Sequence, residues 1–86
     1  MTTVHKRTLD PHVMEYRLPV GAEILSAGVQ GDAIVFWYRC DPHAPLGDPR
    51  TILVFGTGHA MPDDPMRFIS TVAYLDGLWF HVFEAL

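Results

Sequence analysis

The chain has 86 residues, enough for a single domain spanning 1–86, and 49% of them are hydrophobic, a heavy apolar load for so small a protein. The formal net charge is −4 and Lys6-Arg7 is the only basic pair, so the basic stripe of nucleic-acid binders is excluded. The single cysteine excludes an intramolecular disulfide. No signal-like segment and no apolar run of the ~20 residues that span a bilayer occurs, which predicts a cytoplasmic protein without a membrane partner.

Short β-branched and aromatic segments, separated by proline and glycine, predict seven strands. In chain order these cover residues 3–9, 13–18, 23–29, 33–40, 50–55, 68–75 and 78–83. Gly31 predicts a tight hairpin turn, and the pair Asp76-Gly77 predicts a hairpin turn with a loop of two residues. Three prolines and a glycine make 41–49 a loop, and the one helical alternative is a single turn at 62–67. The pattern predicts an all-β fold, a small antiparallel sandwich or barrel of six to seven strands.

Side-chain alternation shows that two of the predicted strands are apolar on both faces. Positions 33 to 38 are all apolar, and in the last strand Trp79 and Phe83 lie opposite the apolar positions 78, 80 and 82. An antiparallel sheet normally exposes one polar face to water. In a chain without helices, the second cover is predicted to be another subunit, which makes the protein a homo-oligomer. The alternative is a closed barrel whose outer aromatic residues lie under loops.

The segment between the fifth and sixth strands has the most unusual composition of the chain. We predict that it contains the ligand-binding site. The predicted ligand-binding residues are Gly56, Thr57, Gly58, His59, Asp63 and Asp64, together with His81 and Glu84 of the last strand. Glycine-rich backbone can present amides to a small anion. The established phosphate loops also need a helix after the glycines, and Pro62 and Pro65 prevent one here. The alternative is a glycine turn or bulge that ends a strand.

The same side chains suggest two further kinds of chemistry, a metal site and a general base. His59, Asp63, Asp64 and His81 are of the types that bind Zn²⁺ or a harder cation, but their spacing fits no standard pattern. His59 with an acid such as Asp63 or Glu84 could form a general-base pair. No serine or cysteine nucleophile is matched to such a pair, and no Gly-x-Ser-x-Gly turn occurs. We therefore predict no metal, no cofactor and no catalytic residue.

The order of several motifs carries a resemblance to a known family. They are Leu18-Pro19-x-Gly21-Ala22-x-Ile24-Leu25-Ser26, Trp37 with Asp41-Pro42, Phe55-Gly56-Thr57-Gly58-His59 with Pro62-Asp63-Asp64, Ile69-x-Thr71-Val72, and Phe80-His81-Val82-Phe83-Glu84. Over nearly the whole chain they resemble a small uncharacterised domain family of bacteriophages and their bacterial hosts. The chain departs from that pattern by a longer loop at 42–49 and by Ala85-Leu86 at its end. The resemblance implies a small β protein of phage or prophage origin and implies no reaction.

The leading hypothesis is therefore a non-enzymatic, homo-oligomeric protein of phage type. It would bind a small anionic ligand, for example a nucleotide-like signal in counter-defence, or a host protein. The first alternative is a virion component such as a decoration protein, which would dock through its apolar surface. The second alternative is a small metal-dependent or histidine-based hydrolase that uses His59 and Asp63.

Overall fold

The computed structural model describes residues 1–86 and confirms the all-β prediction. Its strands are β1 (Thr3–Thr8), β2 (Glu15–Tyr16), β3 (Glu23–Gln30), β4 (Ala33–Cys40), β5 (Arg50–Gly56), β6 (Met66–Tyr74) and β7 (Leu78–Ala85). They form a three-stranded sheet in the order β1-β4-β3 and a four-stranded sheet in the order β2-β5-β7-β6. All pairings are antiparallel. The structure contains no helix that could span a membrane.

The turns mostly follow the glycines, with one correction to the predicted loop lengths. Gln30 pairs with Ala33, so β3 and β4 are joined by two residues, and Gly31 adopts a positive φ of 61°. The turn at Asp76-Gly77 is longer than the predicted two residues. Tyr74 pairs with Leu78, which leaves a three-residue loop whose first and last residues have φ of 44° and 81°. No helical turn forms at 62–67, because pairing with β7 begins at Met66.

The second strand is much shorter than predicted. Only Glu15 and Tyr16 pair with β5, whereas the prediction covered 13–18. The N–H of Val13 donates instead to the carbonyl of Asp10 at 3.0 Å, which closes a turn through Pro11. As a result, β2 leaves most of β5 without a neighbour on that side.

The core lies between the two sheets. It is built from nine buried residues: Tyr16, Leu18, Ala22, Ile24, Phe36, Tyr38, Cys40, Ile52 and Val82. Cys40, the single cysteine, is therefore a small buried side chain of the core. On the other face of β4, Trp37 lies over Gly28, where an added Cβ would be 3.0 Å from the indole ring. The chain thus covers part of the second face of the three-stranded sheet by itself.

The sheets meet along β3 and β6 and separate on the opposite side. The N–H of Ala27 donates to the Ser70 hydroxyl at 2.9 Å, close to an irregularity in the pairing of each strand. The Tyr74 hydroxyl also donates to the carbonyl of Asp32. On the other side, the short β2 leaves the sheets apart, so the fold is a sandwich with one closed side and one open side.

Candidate functional site

The glycine-rich segment is a turn that ends β5, one of the two alternatives for it. The N–H of His59 donates to the carbonyl of Gly56 at 3.1 Å, and Gly58 has a φ of 86°, the arrangement of a type II turn. The His59 ring rests on Gly56, because a Cβ there would lie 2.8 Å from its Cε1 atom. β6 is the next regular element, so no helix dipole supports anion binding here. The turn borders only a small hollow of about 360 Å³.

Part of the predicted site does come together, around His81. The Thr57 hydroxyl oxygen lies 2.8 Å from Nε2 of His81, and the Thr71 hydroxyl oxygen lies 2.9 Å from Nδ1. Thr71 and Phe55 pair with His81 in one row across β6, β7 and β5, and Thr57 reaches the ring from the turn that follows β5. In a neutral imidazole, one ring nitrogen donates and the other accepts, so both hydroxyls are satisfied.

Glu84 does not join that row, because side chains alternate along β7 and Glu84 points to the core side. It is buried and accepts bonds from Arg50 Nε at 2.6 Å, Arg50 Nη2 at 3.0 Å and Arg67 Nη2 at 3.0 Å. Arg50 also donates to the carbonyl of Ala22 at 2.5 Å. Burial raises the pKa of Glu84, but the hydrogen bonds and charges of the two arginines outweigh it and lower the pKa below 4.5. Glu84 is thus the centre of an ion-pair clamp that joins β5, β6 and β7.

Asp63 and Asp64 lie away from both groups, exposed in the loop from β5 to β6. β5 and β6 are both antiparallel to β7, so the loop that joins them must run back along the length of β7. Gly56 pairs with Phe80 near one end of β7, whereas the carbonyl of Pro65 accepts the N–H of Leu86 beyond the other end. No group of three or more histidine, cysteine or acidic side chains that could hold a metal is formed. The eight predicted residues therefore occupy three separate places.

A much larger concave feature lies elsewhere, on the open side of the sandwich. It is a groove of about 960 Å³ with mostly apolar walls. Six of the residues that line it are Leu9, Ile34, Ile52, Val54, Leu78 and Phe80. Asp10 and Asp32 are the only charged residues of its lining. Such a volume is typical of ligand pockets, and we call this feature the groove.

Sequence reasoning missed the groove because its walls are far apart along the chain. Alternation does place Ile52 and Val54 on one face of β5. The lining residues outside β5 are Thr8, Leu9, Asp10, Pro11, Val13, Met14, Asp32, Ala33, Ile34, Tyr74, Leu78 and Phe80. The apolar pair Val13-Met14 after Pro11 is the other local sign of this region, and the sequence assigns it to the second predicted strand.

A second apolar surface lies on the outer side of the four-stranded sheet, around Phe83. The ring of Phe83 packs edge-on against Phe55 at 6.0 Å and Phe68 at 5.5 Å between centroids. Phe68 is 56% exposed and Trp79, further along β7, is 52% exposed. We call this surface the aromatic face. It includes the face of β7, with Trp79 and Phe83, that the sequence predicts to be covered by another subunit.

A comparison with domain families gives a match over the whole chain. The sequence model of a domain of unknown function, DUF7352, covers residues 1–86. The chain belongs to this family. The predicted resemblance to an uncharacterised small domain family is confirmed to that extent, and the link to bacteriophages stays a prediction. Neither the curated proteins nor the solved structures contain a match to this DUF7352 chain.

Proposed function

We propose that this DUF7352 protein is a non-enzymatic binding protein that holds apolar groups in the groove. The groove itself carries the proposal, because its volume of about 960 Å³ and its apolar walls are those of a binding site. With Asp10 and Asp32 as the only charged residues of its lining, it favours a neutral or cationic guest. A nucleotide-like anion would have to use the glycine turn, where His59 is the only basic residue beside a small hollow. The groove therefore supports binding better than the residues predicted from the sequence.

The test is a titration with N-phenyl-1-naphthylamine, a neutral probe that fluoresces in apolar surroundings. We expect saturable binding, and we expect Val54→Glu to weaken it at least tenfold, because this side chain lines the groove while remaining 38% exposed. The matched control is Val4→Glu, which puts the same charge on an exposed valine of β1 outside the groove. Equal binding by both variants, or no saturable binding by the unaltered protein, would contradict the proposal.

We also propose that the protein is a homo-oligomer that associates through the aromatic face. Exposed apolar surface of this kind marks an interface in small soluble proteins, and symmetric assembly is the commonest way to cover it. Sedimentation velocity tests this: Phe68→Lys should shift the protein to a monomer, whereas Val4→Lys, also at an exposed strand position, should not. If the unaltered protein sedimented as a monomer, the proposed homo-oligomer would be refuted, and the proposal for the groove would be unaffected.

The biological setting that we propose is a phage or prophage one, on the strength of the motif resemblance. There the groove would bind a host protein, and counter-defence is the role that such binding would serve. The alternative is a virion component, for which the aromatic face would be the docking surface. Mass spectrometry of purified particles separates the two, because a virion component is present at a fixed copy number and a counter-defence protein is absent.

One observation favours a second function, a histidine-based hydrolase. The 2.8 Å contact between Thr57 and Nε2 of His81 has the geometry of a nucleophile and its base, with Thr71 on the other ring nitrogen as an orienting group. Hydrolysis of p-nitrophenyl acetate tests it. A hydrolase requires that Thr57→Val abolish turnover above the rate of free imidazole, with Thr51→Val as the control; unchanged rates in both variants would remove this function.

A further inference from the structure

One wall of the groove is a strand edge without a neighbour. β2 pairs only with Arg50 and Thr51 of β5, and the last contact on this side is the N–H of Ile52, which donates to the carbonyl of Met14 at 2.8 Å. Beyond that point the chain turns away through Pro11. From Ile52 to Phe55, β5 is bordered by β7 on one side and by the groove on the other.

The direction of the free backbone groups follows from the pairing. In an antiparallel strand, the N–H and C=O of one residue point to the same side, and successive residues alternate. Because the N–H of Ile52 points to Met14, the backbone of Val54 points to the groove, and Leu53 and Phe55 bond to β7. The C=O of Ile52 and both groups of Val54 are thus open to a further strand.

The edge strand β1 carries charged side chains, whereas the free part of β5 does not. β1 is one of the two edge strands of its sheet and carries the exposed cations Lys6 and Arg7, the kind of residue that discourages strand addition. Along the free part of β5 the side chains are Leu53, Val54 and Phe55, without a charge or a proline. An unguarded edge beside an apolar groove suits the addition of a strand from another chain.

We propose that the groove binds an extended segment of a partner polypeptide, which adds to β5 as an antiparallel strand in line with β2. This inference rests on the proposed function and names its ligand. The residue opposite Val54 exchanges two backbone hydrogen bonds with it, and every second side chain of the segment enters the groove. The acidic lining residues Asp10 and Asp32 select a segment that carries lysine or arginine. About four residues, or roughly 13 Å of strand, match the free length of β5 from Leu53 to Gly56.

The test uses a synthetic peptide pool, Lys-X-Z-X-Z-X-Lys, where X is valine, isoleucine, leucine or phenylalanine and Z is threonine or serine. We expect fluorescence anisotropy to show saturable binding to the full chain, and we expect the bound pool to slow amide exchange at Val54. Two matched pools serve as controls. One has N-methyl groups on its X residues, which removes backbone donors and keeps the side chains, and the other has glutamate in place of lysine. Binding should weaken at least tenfold with the first control and at least threefold with the second.

The outcomes distinguish a failure of strand addition from a failure of the proposed function, the binding of apolar groups in the groove. If N-methylated peptides bind as well as the parent pool, or if Val54 exchange is unchanged, the groove takes up apolar groups without strand addition and the inference is wrong. If N-phenyl-1-naphthylamine binds and no pool does, the inference again fails while the proposed function stands. If neither probe binds, both fail. If the bound pool slowed amide exchange in β1 and nowhere else, the inference would also be wrong.

Discussion

Replacing Glu84 by glutamine should remove the main electrostatic contact between the strands of the larger sheet. The carboxylate is the common acceptor of Arg50 and Arg67, and its side chain is only 9% exposed. Glutamine has nearly the same size and keeps one acceptor oxygen, so packing is preserved while the charge is lost. Arg50, anchored to the Ala22 carbonyl and 27% exposed, would then be a partly buried cation without a counter-charge.

The expected loss is large for a protein of this size. Removing one member of a buried ion pair destabilises proteins by about 3–5 kcal/mol. The lower value of this range, about 3 kcal/mol, applies to Glu84→Gln because Arg67 is 43% exposed and can recover hydration. A loss of about 3 kcal/mol compares with a total of roughly 5–15 kcal/mol for a small domain. It corresponds to a decrease in Tm of roughly 12–24 °C.

Urea unfolding followed by tryptophan fluorescence measures this, with Glu23→Gln as the matched control. Glu23 pairs with Arg39 at 2.5 Å, but both side chains are about half exposed, at 51% and 57%. A surface pair contributes about 0–1 kcal/mol, so the control should lose no more than that. If the two variants lost the same free energy of unfolding, burial would not be what gives the Glu84 clamp its strength, and the reasoning would be refuted.

Three other predictions follow from the same structure. Since the pKa of Glu84 is lowered in the folded state, its contribution to stability is complete above the unfolded value near 4.5 and is lost as the pH falls through the folded value. Unfolding midpoints from pH 7 to pH 3 should therefore fall more steeply in the unaltered protein than in Glu84→Gln, and parallel curves would contradict this. Gly58→Ala should lose about 1–2 kcal/mol in urea unfolding, because φ is 86° there, whereas an unchanged midpoint would argue against the turn. Gly28→Ala should lose about 1–3 kcal/mol and shift the emission of Trp37, whose ring lies 3.0 Å from the added Cβ; an unshifted spectrum would place the ring elsewhere.

Much of the fold is predictable because it depends on local composition. Runs such as Ala33–Cys40 are β-branched and aromatic and suit only a pleated strand, and Gly31 and Gly77 supply the positive φ that their turns require. The errors also have local causes. The turn that Val13 closes onto Asp10 shortened the second strand, and the positive φ of Leu75 lengthened the last hairpin loop by one residue.

The site is less predictable because it depends on which strands become neighbours. Alternation along β7 already separates His81 from Glu84, and this could have been applied to the candidate site at the outset. The partners of Glu84 could not have been found that way, since Arg50 and Arg67 lie 34 and 17 residues away in the chain. The same holds for the groove, whose walls lie on different sheets.

Most of the strands, the glycine turns and the excess of apolar surface can be predicted from the sequence, because each depends on neighbouring residues and on a period of two. Only the folded chain shows that Glu84 is buried between two arginines, that Thr57 and Thr71 contact the two ring nitrogens of His81, and that β5 borders a groove with a free edge. The physical reason is strand order and register. They bring together residues that are distant in the chain, and no local preference of those residues specifies the partner.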